Sequence, residues 1–219
     1  MTHPLVDLRT RWLDATTTVL QADSAVVGAA LVGSLGAGTA DEWSDVDLLV
    51  VAEDPDAVAL PSAGRTFAID ARHNGPAGTR ATSAQYVVDG LPLWVDWHVH
   101  PLSLASWPSD STILFEHHPI RRTPATFATY LNEGPREPAT PKTPAEQHAM
   151  RIALIPIAAK QVARRSPDAP HTIQFLGGPP TTTPHTQLAA LHQLLDDLTT
   201  PENHPSLTAA RTYLTLLDN

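Results

Sequence analysis

Leu31-Val32-Gly33-Ser34-Leu35-Gly36-Ala37-Gly38-Thr39-Ala40-Asp41-Glu42-Trp43-Ser44-Asp45-Val46-Asp47-Leu48-Leu49-Val50-Val51 is the stretch on which the fold of this 219-residue chain turns. The apolar run Val26 to Val32 leads into it and a second run, Val46 to Val51, closes it, which predicts two buried strands. Their near-continuous apolar character implies a sheet covered on at least one face. The link between them is too short for a crossover helix, so a hairpin is expected. Alternation along a strand puts Asp45 and Asp47 on one face and Val46 on the other. Side by side, the two carboxylates repel unless something neutralises them, and Mg²⁺, which favours a few carboxylates plus water and substrate phosphates, suits the arrangement. The glycines let backbone N–H groups approach a phosphate, and Ser34 adds a hydroxyl donor. Either half alone would pass for an ordinary hairpin turn or strand end. In order, strand, Gly33-Ser34, ten intervening residues, Asp45-x-Asp47 and strand point to a nucleotide with a metal as the ligand.

Working outward, Leu5, Leu8, Trp12, Ala15 and Val19 recur at steps of three or four and predict an opening helix over roughly 5–21. Further strands are expected at 65–71, 84–88, 93–99 and 112–116, with Asp89-Gly90 as a hairpin turn. Residues 132–144 hold four prolines and read as a linker. Beyond it, 145–165, 186–198 and 206–217 read as helices, with residues such as Thr143 or Thr200 and prolines near their starts. Pro156 is expected to kink or split the first of these. The expected organisation is a sheet domain over 1–131, a proline-rich linker over 132–144 and a helical domain over 145–219. No internal repeat is present.

Composition narrows the class. The chain is 42% hydrophobic and 17% charged, with no apolar run near 18 residues, so it is expected to be soluble and globular rather than disordered or membrane-spanning. No cysteine is present, which removes disulfides, thiolate nucleophiles and Cys-based zinc sites. No charged start followed by an apolar core marks a signal peptide, so a cytoplasmic location is the expectation. The net charge is −9, and residues 1–131 carry almost all of it, with 7 basic and 15 acidic residues. Such a surface disfavours nucleic acid and favours cations, whether metal ions or amine-bearing small molecules.

The Gly33-Ser34 … Asp45-x-Asp47 pattern resembles that of the nucleotidyltransferase superfamily with the DNA polymerase beta fold, most closely the small bacterial antibiotic-type nucleotidyltransferases. The resemblance is clear over residues 26–52 and looser through residue 120. It implies an α+β fold, a mixed β-sheet flanked by helices and followed by a C-terminal helical domain. It also implies a third carboxylate on a later strand, for which Asp96, in Leu91-Pro92-Leu93-Trp94-Val95-Asp96-Trp97-His98-Val99-His100-Pro101, is the candidate. An unpaired buried carboxylate there would be costly unless it faced a metal or a solvent-filled site. Asp45, Asp47 and Asp96 would then be the catalytic, metal-holding acids for two Mg²⁺ ions, and Gly33 and Ser34 would hold the nucleotide.

One departure stands out: relatives often carry a base in the glycine turn, and Ala37 occupies its place here. Lys160 and Arg164, four apart on one helix face, could supply the missing phosphate contact, and the resemblance favours Lys160. Arg165 is a bystander candidate, and Arg121-Arg122 could lie on a rim. Strand alternation also aligns Asp96, His98 and His100, which on its own could bind Zn²⁺ or Fe²⁺. That reading leaves Gly33-Ser34 unexplained, so His98 and His100 are taken instead as acceptor-site candidates. The expected activity is transfer of a nucleoside monophosphate from a nucleoside triphosphate, ATP as the commonest choice, to a hydroxyl of a small acceptor, with pyrophosphate released. The acid excess suits a cationic, aminoglycoside-like acceptor. The alternatives are a catalytically silent homologue and a toxin or antitoxin enzyme acting on a protein or tRNA.

Overall fold

The computed structural model describes residues 3–198 and 204–218. Thr200, read above as a helix-start residue, lies outside them. The first helix, α1, spans Pro4–Ala22, with proline at its first position and the His3 ring accepting from the Leu5 N–H at 3.4 Å. Its buried stripe is Leu5, Leu8, Trp12, Thr16 and Leu20. The expected Ala15 and Val19 face outward, because steps of four after Trp12 keep the inward side on Thr16 and Leu20.

Six strands follow: β1 (Val26–Val32), β2 (Val46–Ala52), β3 (Arg65–Asp70), β4 (Arg80–Val88), β5 (Leu91–Pro101) and β6 (Thr112–Glu116). They form one mixed sheet in the order β3-β4-β5-β2-β1-β6. β1 is antiparallel to both β2 and β6, as the hairpin reading requires, whereas β2 runs parallel to β5. A parallel pair needs a long connection, and residues 53–90, carrying β3 and β4, supply it. β4 is longer than predicted because polar residues such as Arg80 and Ser83 continue the ladder beyond the apolar run that marks it, and β5 extends to Leu91 and Pro101. Asp89 and Gly90 have φ of 50° and 77°, the two positive values that a two-residue type I′ hairpin turn demands.

By close packing, the chain divides into two compact units. One comprises the residues up to Ala84 with Leu93–Pro141; the other comprises Gln85–Pro92 with the residues from Lys142 onward. In the first, Val27, Ala30, Val32, Leu49, Val51, Trp107 and Ile120 form a core with Phe127 and Tyr130 of the short helix α3 (Phe127–Leu131). The proline-rich segment has no helix, but Pro135 O accepts from the Ala77 N–H at 2.8 Å and Glu137 lies 3.8 Å from Arg72, so part of it is tied to this unit.

The second unit is built on α4 (Pro144–Ala163), which starts in a capping box between Thr143 and Glu146. It packs against α5 (Ala169–Phe175), α6 (Pro184–Asp197) and α7 (Pro205–Thr215). Pro156 sits inside α4 without splitting it. It is buried among Ile155, Ala158 and Ala159, and packing offsets the backbone hydrogen bond that proline forgoes. In the same unit, the buried Gln85 amide donates to Ala153 O at 3.0 Å. Among the described residues no helix is long and apolar enough to cross a membrane.

Leu49 is fully enclosed in the first unit's core. A Leu49→Ala variant is expected to lose about 3 kcal/mol, read as a lower urea midpoint at unchanged slope.

Candidate active site

The parallel pairing of β2 and β5 sets Val46 opposite Val95, Asp47 opposite Asp96 and Leu48 opposite Trp97. Partners in a parallel pair project to the same side, with their strands about 4.8 Å apart. Asp47 and Asp96 therefore stand next to each other, and Asp45 lies just ahead of β2. All three are half-buried, while Val46, Leu48 and Val95 between them are enclosed.

The glycine turn meets the acids directly. Residues Gly33–Gly36 form a single helical turn, α2, immediately after β1. Gly33 has φ of +60°, and a Cβ there would fall against Asp47 Oδ2 with Asp47 Cγ only 3.0 Å away. Both backbone and space thus require glycine at 33. Gly36 is tight for another reason, since a Cβ would lie 2.8 Å from Asp110 O. Ser34 sits in this turn, and its carbonyl accepts from the Thr39 N–H at 2.9 Å. Ala37 caps the turn in an exposed position, so the place where relatives often carry a base presents only a methyl group.

The loop that delivers Asp45 is held by its own side chains. Asp41 Oδ1 accepts from Ser44 Oγ at 2.8 Å and from the Trp43 N–H at 3.0 Å. Arg9, on α1 and 6% exposed, donates from Nη1 to Ser44 O at 2.7 Å and Asp41 O at 3.1 Å. Hydrogen bonds from a charged donor to buried carbonyls are among the stronger ones, so Arg9 fixes the approach to Asp45. Sequence reading missed Arg9. Its signal was its place four residues after Leu5 and three before Trp12, on the buried face of α1.

Asp96 is supported by donors: Ser83 Oγ donates to Oδ1, and Trp94 Nε1 donates to Oδ2 at 3.1 Å. Among the described residues, no three histidine or acidic side chains are gathered so as to hold a metal ion. The register thus aligns Asp47 and Asp96 on one face, with Asp45 just ahead of β2, and does not close the three side chains on a common point. The donor set nevertheless fits Mg²⁺, a hard cation that takes one or two carboxylates and completes its shell with water and substrate phosphates.

His98 and His100 lie farther along the same face, beyond the half-buried acids. His98 is buried against the Phe127 ring, with centroids 5.0 Å apart, and burial lowers its pKa to about 4. His100, 1% exposed, is hydrogen-bonded through Nδ1 to the Tyr130 hydroxyl at 2.9 Å; burial and the neighbouring His98 lower its pKa to about 3. Both are core histidines, and among the described residues Asp96, His98 and His100 are not gathered so as to hold a metal ion, against their reading as a Zn²⁺ or Fe²⁺ site. Sequence alternation placed them correctly on one face but could not show that α3 covers it. Lys160 and Arg164 belong to the second unit: Lys160 is in the last turn of α4, and the Arg164 N–H caps that helix by donating to Lys160 O at 3.0 Å.

Residues 15–119 match the family model of the nucleotidyltransferase domain. The matched span contains β1 to β6 together with Gly33, Ser34, Asp45, Asp47 and Asp96, and the superfamily suggested by those residues is supported. No curated protein matches the chain.

Two outcomes follow from this geometry. A Gly33→Ala variant should be destabilised by about 1–3 kcal/mol, because its Cβ displaces Asp47 and φ is positive; thermal melting measures it. The two histidines should also make the fold acid-sensitive. Each has a folded-state pKa below that of the unfolded chain, so the unfolded state binds more protons between about pH 6.5 and 4, and stability falls as pH drops through that window. A His98→Asn variant should show a flatter dependence of melting temperature on pH.

Proposed function

We propose that this chain is a nucleotidyltransferase that moves a nucleoside monophosphate, from ATP as the expected donor, to a hydroxyl group of a small acceptor. Residues 1–131 would be the catalytic domain, 132–144 the linker and 145–219 the helical domain. The observation that carries the reading is the in-register Asp47 and Asp96 pair on β2 and β5, with Gly33 lying against the Asp47 carboxylate. The match of this segment to a nucleotidyltransferase domain supports transfer of a nucleotide group in general.

Asp45 and Asp47, with Asp96 beside them, would hold the divalent cations, two Mg²⁺ in this reading. When bound, they supply Lewis-acid stabilisation of charge on the triphosphate and the attacking oxygen. The Gly33-Ser34 turn positions the phosphates through backbone N–H groups and the Ser34 hydroxyl, with Lys160 and Arg164 as the candidate basic contacts. Asp96 takes the acceptor hydroxyl proton, a role for which Ser83 and Trp94 fix its orientation. The freed oxygen attacks the α-phosphorus in line. The bond from that phosphorus to the bridging oxygen breaks, and pyrophosphate leaves. The acid excess of residues 1–131 supports a cationic, aminoglycoside-like acceptor.

One observation favours a second reading. Ala37, exposed at the end of α2, supplies no cation to the phosphates, as a nucleotide-binding but catalytically silent homologue would not.

Pyrophosphate release from ATP and MgCl₂ over a panel of aminoglycosides, neutral sugars, tRNA and protein acceptors separates these readings. Turnover with aminoglycosides, reduced at least about 100-fold in Asp47→Asn and Asp96→Asn, is the expected result. Turnover that survives both changes overturns the mechanism. Turnover only with tRNA or protein overturns the small acceptor. Stabilisation by ATP with no turnover on any acceptor assigns the silent role.

A further inference from the structure

A cavity of about 560 Å³ opens in the first unit at the far end of β5 from the acids. His100 in its wall lies four residues beyond Asp96, about 13 Å along the strand. That volume is within the range of small-molecule sites. Leu104, Pro124, Pro135 and the Tyr130 ring give it rigid apolar walls. The polar groups are few and placed. The Tyr130 hydroxyl bonds His100 Nδ1 at 2.9 Å and donates to Leu104 O at 3.3 Å, and His100 Nε2 has no hydrogen-bond partner.

The cavity's charge is set by Arg121. Its Nε donates to Ser106 Oγ at 2.8 Å, which aims the guanidinium while leaving both terminal nitrogens without a protein acceptor. Its neighbour Arg122 also lines the cavity but lies 3.8 Å from Glu116, whose other oxygen accepts from Trp107 Nε1 at 2.8 Å. Glu133 is the acid in the lining, and no ion pair joins it to Arg121. An anchored guanidinium at the mouth of an apolar cavity is suited to a bidentate carboxylate or phosphate. These residues lie outside the span matching the nucleotidyltransferase domain, apart from those before residue 120.

We propose that this cavity is a second ligand site, separate from the aspartates, that binds a small organic anion by seating an apolar or aromatic body among Leu104, Pro124, Pro135 and Tyr130 and its acidic group on Arg121.

The test reads binding on the full chain and needs no turnover, so it stands or falls apart from the transferase reading. Benzoate, phenyl phosphate, benzyl alcohol and benzylamine are titrated into ¹⁵N-labelled protein. Saturable shifts at the Thr79, Ser106, Tyr130 and Glu133 amides are expected with the two anions, and the tighter of them identifies the acidic group. Arg121→Ala, whose folded state is checked by thermal melting because it releases the buried Ser106 hydroxyl, should weaken binding at least tenfold. Leu104→Trp, which fills the cavity and keeps Arg121, should abolish it. Binding of benzylamine or benzyl alcohol as tight as benzoate, unaltered affinity in Arg121→Ala, or shifts confined to other residues would overturn the proposal.

Discussion

Two carboxylates held one strand apart are the constraint around which the first unit is arranged. Asp47 and Asp96 are opposite each other in the β2–β5 pair, and like charges at that spacing raise the free energy of the folded state. The surroundings compensate locally. Ser83 and Trp94 donate to Asp96, Gly33 gives up its side chain where Asp47 needs room, and both acids stay half-exposed. The enclosed Val46, Leu48, Val95 and Trp97 alternate with them and bury apolar surface on the opposite face. A sheet that spends stability to align acids is expected where the alignment serves binding or chemistry.

Along β5, one face changes character within five residues. Asp96 is half-exposed and hydrogen-bonded, His98 is neutral beneath Phe127, and His100 is neutral in a cavity wall beside Tyr130. The residues share a side because strands alternate, but their chemistry diverges because α3 covers only the later part. Covering a histidine in apolar surroundings disfavours its charged form, so the strand carries charge at one end and none beyond. The same helix thus closes the core through Phe127 and lines the cavity through Tyr130.

Much of this was legible in the chain itself. The runs 26–32 and 46–51 announced β1 and β2 because central strands are apolar on both faces, and the short link between them allowed only a hairpin. Asp89-Gly90 announced its turn because few other pairs accept two positive φ values. The parallel register that brings Asp96 to Asp47 was not legible, since it depends on a pairing across 49 positions of chain. α5 was also missed: Ala169–Phe175 is short and carries no apolar stripe of its own, and it is helical because it packs on α4. Arg9 was hidden by its charge, because a guanidinium on a helix ordinarily faces water. Of the two outcomes expected at Pro156, a kink or a split, the split does not occur, because tertiary packing holds α4 together through a strong helix breaker.

Net charge is a poor guide to where a ligand of either sign would go on this unit. Residues 1–131 are strongly acidic in sum, yet Arg121 lines the cavity beside His100, farther along β5 than Asp96. Asp96 and His100 of the cavity wall are about 13 Å apart along β5, more than the screening length of about 8 Å at physiological ionic strength, so each place presents its own local field to a solvated ligand. A cation drawn to the acids and an organic anion drawn to Arg121 are therefore compatible on one domain. What distinguishes the two ends is desolvation: the acids keep access to water and mobile ions, whereas the cavity offers apolar walls that reward removal of a ligand's body from water. Electrostatics sets which end a ligand approaches, and burial sets how long it stays.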